Sequence, residues 1–200
     1  MDLWFDPACP FAWVTSRWLL EVEKVRSIEP RWRIMSLYFL NKDKDISDDY
    51  RKSTERSLGS VRVIAAAAAK HGDHVIGELY TQFGTRLHNE GLGRQPERLR
   101  EVRESALEAV GLDKSLADAA GSDEWDEAIR ASHEEGIGLV GEEVGTPVIR
   151  VGPNAFFGPV ITKILRGDDA GRLWDGVLAV TAYEDFFELK RTRTKRPTFD

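Results

Sequence analysis

The order of the apolar patterns along the chain constrains the fold more than any other feature of this sequence. Two short segments of strand character stand at the N-terminus around one helix, and two more stand near the C-terminus before a last helix. Between them, apolar residues recur at helical spacing for roughly a hundred residues. The predicted elements are strands at 2–6, 31–40, 146–151 and 155–158, helices at 10–27 and 171–189, and a helical block at 47–143.

This order predicts an α/β protein with a thioredoxin-like fold that is interrupted by a large all-helical insertion. The crossover through the first helix makes the first two strands parallel. The short "GPN" turn makes the last two strands antiparallel. We therefore expect a thioredoxin-like domain formed by residues 1–45 and 144–200, with residues 46–143 as an inserted helical domain.

Composition gives no reason to expect nucleic acid, a membrane or an oxidising compartment. The net charge is −6 and the pI is about 5.4, so electrostatics favours neither nucleic acid nor a membrane surface as a partner. No apolar run approaches the roughly 18 residues that a membrane-spanning helix needs. The chain begins with the strand-like "DLWFD" rather than a signal segment, and its single cysteine permits no internal disulfide. We expect a cytoplasmic protein.

The single cysteine, Cys9, stands beside Pro10 at the predicted start of the first helix. Proline suits the first helical position, because its missing N–H would have no partner there. Helix N-termini stabilise thiolates and lower a cysteine pKa from about 8.5 to roughly 3.5–7.5. The alternative is a small buried apolar side chain, but the order strand, Cys-Pro, helix favours a reactive thiol. Three residues on, where a redox dithiol carries its second thiol, the chain has Ala12.

A second candidate feature, "VGTPV" with Thr146 and Pro147, follows the helical block directly. A proline can open a strand without loss of a ladder hydrogen bond, so an ordinary trans peptide bond is one interpretation. Its place before the predicted hairpin instead fits the cis-proline loop that faces the cysteine in thioredoxin-type folds. There, the backbone of the residue before the proline can pair with an extended substrate. We predict a cis bond before Pro147 and contact between this loop and Cys9.

Several stretches carry a resemblance to a known family. They are "LWFDPACPFAWVTSRWLLEVEKVR", "MSLYFLN", "LYTQFGTRLHNEG", "GEEVGTPVIRV", "AFFGPVITKILRG" and "FFELKRTRT". Together they resemble DsbA-like proteins, and more narrowly the actinobacterial mycothiol-dependent nitroreductases. The likeness extends over essentially the whole chain. It implies a cytosolic oxidoreductase that uses the low-molecular-weight thiol mycothiol as reductant.

The family motif is Cys-Pro-Trp-Cys, and this chain departs from it at Phe11 and Ala12. An intramolecular disulfide is therefore impossible, and monothiol chemistry through Cys9 remains. Cys9 would form a mixed disulfide with mycothiol, which a second thiol resolves by exchange. The expected site comprises Cys9 as the catalytic residue, with the following residues as lining for substrate or thiol: Pro10, Phe11, Ala12, Trp13, Thr146 and Pro147.

The resemblance adds three further candidates for substrate or thiol binding. Asn41 and Tyr50 follow the second predicted strand and could line the site, although simple helix packing explains Tyr50 equally well. His88, in "RLHNEG", could donate a proton or contact a sugar, because histidine titrates near neutrality. A capping or solvent-facing histidine is the alternative. The other histidines show no ligand spacing, so we expect no metal.

Three classes of function remain open at this stage. The first is a thiol-dependent oxidoreductase whose partners are a small-molecule thiol and a disulfide or electrophile, acting as a monomer or homodimer. The second is an activity of the kappa-class glutathione transferase or chromene-carboxylate isomerase type, in which serine usually replaces the cysteine. The third is a redox-inert binding module that uses aromatic residues near the motif, namely Phe11, Trp13, Phe156 and Phe157. The basic tail "KRTRTKRP" (190–197) is interpreted as a solvated terminus, with a partner surface or a strap for an anionic group of the co-substrate as alternatives.

Overall fold

A four-stranded sheet with helices on both faces forms the centre of the molecule, in a computed structural model that describes residues 1–200. The strands are β1 (Asp2–Phe5), β2 (Arg31–Ile34), β3 (Val148–Val151) and β4 (Asn154–Phe157). The helices are α1 (Pro10–Glu23), α2 (Leu37–Asn41), α3 (Asp48–His71), α4 (Val75–Gly84), α5 (Leu99–Ala109), α6 (Asp126–Gly138) and α7 (Gly167–Thr181). A π-helical turn, Thr85–Asn89, continues α4, and short 3₁₀ turns join the helices of the central block.

The strand order in the sheet is β2-β1-β3-β4. β1 pairs in parallel with β2, with Leu3 opposite Trp32. β3 is antiparallel to both of its neighbours, so that Ile149 lies opposite Leu3 on one side and Phe156 on the other. The predicted parallel first pair, the antiparallel last pair and the α/β class are confirmed.

Side-chain alternation along β1 and β3 divides the core between the two faces of the sheet. On one face, Leu3 and Ile149 pack with Trp18 of α1 and Trp174 of α7. On the opposite face, Trp4 and Val148 form a cluster with Met35, Leu40 and Ile137. Each face is thus covered by at least one helix, and the central strand β1 is buried along its whole length.

The predicted second strand, 31–40, is wrong after Ile34. The chain turns there into the short helix α2, because Ser36 acts as its N-cap and its hydroxyl accepts a hydrogen bond from the Phe39 N–H at 3.4 Å. The continuous apolar run "LYFL" concealed this start. The last helix also differs from its predicted range of 171–189, since it begins at Gly167 with two acidic residues in its first turn and ends at Thr181.

The helical block packs directly against the end of β1 and the start of α1. The largest buried cluster joins Phe5, Cys9 and Trp13 to side chains of α3, α4 and α5. Phe5 stacks on Tyr80 of α4 with a distance of 3.6 Å between ring centres. The core is therefore continuous across the proposed boundaries near residues 46 and 143, and the division into two domains stays a prediction. None of the helices combines the length and apolar character needed to cross a membrane.

Helix α6 approaches the sheet so closely that only glycine fits at one position. A Cβ atom on Gly136 would lie 2.7 Å from the Trp4 ring, which is fully buried. We expect Gly136→Ala to lower the free energy of unfolding by about 1–3 kcal/mol, because the ring has no room to move. Gly138 lies two residues on in the same helix with open space around it, and Gly138→Ala should be neutral or slightly stabilising.

Urea unfolding followed by tryptophan fluorescence measures both variants. Equal stability of the two alanine variants would show that α6 does not pack on Trp4 as described.

Candidate active site

Cys9 is the N-cap residue of α1. The turn from β1 to α1 is closed by a hydrogen bond of 3.0 Å from the Cys9 N–H to the Asp6 carbonyl. Cys9 has extended backbone angles, and Pro10 occupies the first turn of the helix. The Cys9 Sγ accepts the Ala12 N–H at 3.4 Å, a bond that would also stabilise a thiolate at this helix end.

The loop before β3 lies directly against Cys9. The thiol donates to the Thr146 carbonyl at 3.3 Å, and the Thr146–Pro147 peptide bond is cis, so both predictions for this loop are confirmed. The Thr146 hydroxyl donates to the Trp4 carbonyl at 2.9 Å, and the Pro147 carbonyl accepts the Gly158 N–H at 2.8 Å. The loop is therefore held by β1 on one side and by the end of β4 on the other.

Burial dominates the electrostatics of Cys9. The residue is only 7% exposed, and removal of its sulfur from water raises the pKa to about 11. The helix N–H groups and the positive charge of Arg193 lower the pKa by less than burial raises it, and the nearby carboxylate of Asp6 raises it further. The expected lowering of the Cys9 pKa is therefore wrong. In this closed site, the group is a neutral thiol that donates a hydrogen bond.

The residues that follow Cys9 surround it but offer no second reactive group. Ala12 is fully buried, Pro10 and Phe11 are partly exposed, and the Trp13 ring is buried. The Trp13 indole N–H donates to the Asn89 side-chain oxygen at 2.9 Å, while the Arg17 guanidinium lies 4.1 Å from the ring centre. The bond to Asn89 holds the Trp13 ring against the π-helical turn, and Arg17 covers it from α1.

Asp6 is a buried carboxyl group that the sequence analysis did not select. One of its oxygens accepts the Ala8 N–H at 2.9 Å, and the other accepts the Leu37 N–H at 2.8 Å and lies 3.5 Å from the Ser57 hydroxyl. Burial nevertheless raises the pKa of Asp6 to about 6. The available signal in the sequence was an acidic residue directly after the apolar run 3–5. The carboxyl group ties the Cys9 turn to α2 and α3.

His88 lies beside the same turn rather than in contact with the thiol. Its Nε2 atom is 2.9 Å from the Pro7 carbonyl, and its ring stacks on Trp13 at 6.0 Å between centres. Burial lowers the pKa of His88 to about 4, so the ring is neutral at physiological pH. Because a carbonyl only accepts, Nε2 carries the hydrogen. This geometry supports a positioning role, and proton donation by His88 stays a prediction.

The two remaining candidates differ in their surroundings. Tyr50, in the first turn of α3, is 42% exposed, and its pKa is raised by partial burial and by the neighbouring charges of Cys9 and Asp6. It therefore faces the site. The Asn41 side chain donates to the Leu37 carbonyl at 2.8 Å within its own helix. A contact of Asn41 with substrate stays a prediction, as does the binding role of the other lining residues.

The fold and this site together define the class of the protein. A cysteine caps the first helix opposite a cis-proline loop, in a thioredoxin-like sheet that is interrupted by helices between β2 and β3. This is the architecture of the DsbA-like thioredoxin-fold proteins. Residues 8–191 match the Rv2466c-like family, whose description is mycothiol-dependent nitroreductase Rv2466c, and the chain belongs to that family. The resemblance inferred from the sequence motifs is confirmed.

Two individual proteins show the extent of the likeness. The chain is 27% identical over 195 residues to the uncharacterized protein Rv2286c of Mycobacterium tuberculosis (strain ATCC 25618 / H37Rv), an alignment that covers 97% of this chain and 82% of that one. The solved structure of a 2-hydroxychromene-2-carboxylate isomerase aligns with a TM-score of 0.54 at 15% identity, over 89% of this chain and 93% of the isomerase. The second likeness shows the fold alone. The family places the chain among the thiol-dependent oxidoreductases.

The buried Asp6 carboxyl group should make stability depend on pH. Its pKa rises from 3.8 to about 6 on folding, so the folded protein keeps a proton that the unfolded chain has released. Asp6 should therefore contribute a fall of about 3 kcal/mol in the free energy of unfolding as the pH rises through this window, since one pKa unit corresponds to about 1.4 kcal/mol. The rings of His88 and His133, whose pKa values are lowered to about 4 by burial, act in the opposite direction over the same range, so the contribution of Asp6 is read as a difference between variants. Urea unfolding of the wild type and of Asp6→Asn at several pH values measures this contribution as the difference between the two proteins.

Asp6→Asn should lose this contribution, so that its stability relative to the wild type rises by about 3 kcal/mol as the pH rises through the same window, whatever its effect on absolute stability. Asp43→Asn, which changes an exposed carboxylate (85% exposed), serves as the matched control and should retain the contribution of Asp6. A stability difference between Asp6→Asn and the wild type that does not change with pH would refute a buried proton at this site.

Proposed function

We propose that the protein is a thiol-dependent oxidoreductase that works through Cys9 alone, with mycothiol as its thiol co-substrate. The observation that carries this proposal is the placement of the only thiol at the start of α1, against the cis-proline loop and without a partner at Ala12. Membership of a family described as mycothiol-dependent supports the choice of co-substrate.

The proposed exchange has two balanced steps. The Cys9 thiolate attacks one sulfur of a disulfide, so that a Cys9 mixed disulfide forms and the other sulfur leaves as a thiolate, which takes up a proton. A free thiolate of the co-substrate then attacks the sulfur bound to Cys9, forms a new small-molecule disulfide and releases Cys9. Dithiol relatives can perform the second step with their own second cysteine, which this chain lacks.

The contact between Cys9 and Thr146 suggests how the thiol becomes reactive. In the closed site, the thiol is neutral and donates its hydrogen bond to the Thr146 carbonyl. A substrate backbone or amide N–H that pairs with this carbonyl would displace the thiol. Opening of the loop would at the same time admit water to the sulfur and remove part of the burial that raises the pKa. The Ala12 N–H remains in place to donate a hydrogen bond to the resulting thiolate.

The proposal also covers the substrate, the location and the oligomeric state of the protein. The oxidised substrate is a disulfide or another electrophile, and nitroaromatic compounds are candidates because the family description names a nitroreductase. The expected cytoplasmic location follows the family's use of an intracellular thiol. We propose a monomer or homodimer that uses no metal.

One observation favours a second candidate, an activity of the kappa-class transferase or chromene-carboxylate isomerase type. A neutral Cys9 that donates a hydrogen bond resembles the serine hydroxyl of that class, because it could orient a thiol co-substrate without covalent attachment. The two candidates differ at one substitution. Cys9→Ser would abolish covalent exchange. It would preserve activation of the thiol co-substrate by a hydrogen-bond donor, because serine also carries one.

The monothiol mechanism predicts a long-lived covalent intermediate. Incubation with oxidised mycothiol should add one mycothiol to the protein, and free mycothiol should release it, because Ala12 offers no internal resolving thiol. Intact-mass spectrometry measures the adduct, with Cys9→Ser as the control that should remain unmodified. Ala12→Cys should shorten the lifetime of the adduct by allowing an internal disulfide.

Covalent exchange would be rejected if the wild-type protein formed no adduct and Cys9→Ser retained the mycothiol-dependent activity of the wild type. That result would favour the hydrogen-bonding role instead. An absence of adduct together with an absence of activity in both proteins would favour the redox-inert binding module.

A further inference from the structure

The basic end of the chain is solvent-exposed over residues 190–196, as expected, but the residues that follow are anchored to the body of the protein. The C-terminal segment, residues 190–200, is held at its far end by two backbone contacts. The Thr198 N–H donates to the Thr162 carbonyl at 2.9 Å, and the Asn89 side chain donates to the Phe199 carbonyl at 2.9 Å. The Phe199 ring lies 5.5 Å from the His88 ring and packs against the largest core cluster.

With the end of the segment anchored, Arg193 lies over the ring of Phe11, next to the Cys9 site. Its guanidinium carbon lies 5.0 Å from the centre of the Phe11 ring, and Phe11 is the second residue after Cys9. The contact is on the solvent side, because Arg193 is exposed and Phe11 is partly exposed. The neighbouring Lys190 pairs with Glu188, whereas Arg193 contacts an aromatic ring and leaves its charge available.

Arg193 is the cation whose charge acts on the Cys9 sulfur. Asp6 lies on the buried side, within its own hydrogen bonds. Tyr50 and Tyr80 have raised pKa values and His88 has a lowered one, so all three are neutral at physiological pH. The positive charge of Arg193 is the one that lowers the pKa of Cys9. An anion that approaches the sulfur from solvent is therefore attracted by the positive charge of Arg193.

We propose that Arg193 determines specificity, by favouring disulfides or electrophiles that carry a negatively charged group next to the atom that Cys9 attacks. A guanidinium stays charged at every working pH and matches a carboxylate or phosphate with two parallel hydrogen bonds. Its stacking on Phe11 limits its motion, so the charge stays near the entrance. This inference rests on the proposed role of Cys9 as the nucleophile and adds the chemical class of the substrate.

Two alkylating reagents that differ in charge test the proposal. Iodoacetate and iodoacetamide form the same bond, in which the Cys9 thiolate displaces iodide from a methylene carbon, but only iodoacetate carries a negative charge. The ratio of the two rate constants at one pH does not depend on the fraction of thiolate, because both reagents react with the same species. It reports the electrostatic preference of the entrance.

We expect Arg193→Gln to lower the iodoacetate-to-iodoacetamide rate ratio roughly three- to tenfold, as for one charge at close range in a partly solvated site. Arg193→Lys should retain part of the ratio. Arg191→Gln and Lys195→Gln remove exposed cations of the same segment and should change the ratio less than twofold. High salt should reduce the wild-type ratio towards that of Arg193→Gln.

Two failures can be distinguished. An unchanged ratio in Arg193→Gln, or an equal fall in the Arg191→Gln and Lys195→Gln controls, would overturn the assignment to Arg193 while leaving Cys9 as the nucleophile. If neither reagent modifies the folded wild-type protein but both modify the urea-unfolded chain, the proposed function fails and this inference falls with it.

Discussion

The contact between the Cys9 thiol and the Thr146 carbonyl sets the state of the sulfur, and the chemistry of the site depends on that state. The contact joins the first helix to the loop before β3, two parts of the chain that are separated by the whole helical block. Around it, the Thr146 hydroxyl is bound to β1, and His88 is bound to Pro7 in the turn that carries the cysteine. Loss of this contact would free the thiol without unfolding the sheet, because each partner has its own anchors.

Two opposed effects act on the sulfur, and their balance decides its chemistry. The start of α1 offers N–H groups that favour a thiolate, while burial between helix and loop favours the neutral thiol and wins in the closed structure. Asp6 also favours the neutral thiol, because its nearby carboxylate raises the pKa of Cys9. We propose that reactivity is linked in this way to opening of the loop. In a chain without a second cysteine, this link would protect the single thiol until a substrate arrives.

The sequence predicts the parts of this arrangement that depend on local patterns. Strand-like segments, the Cys-Pro helix start and the Thr-Pro loop are each visible in a few neighbouring residues, and their order implies the sheet. Ser36 was missed because an apolar run hides a helix cap. The pKa of Cys9, the hydrogen bonds of Asp6 and the position of Arg193 depend on contacts between residues far apart in the chain. Periodicity carries no information about such contacts.

The state of the thiol in the resting protein is the most direct test of this account. The absorbance of a thiolate near 240 nm, measured against pH and corrected with Cys9→Ser for tyrosine ionisation, reports the pKa of the single cysteine. The account predicts a midpoint well above the ordinary value of about 8.5, in line with the buried thiol at about 11. A midpoint below 7 in the folded protein would contradict it, because the helix N-terminus would then outweigh burial and the closed loop would not hold a neutral thiol.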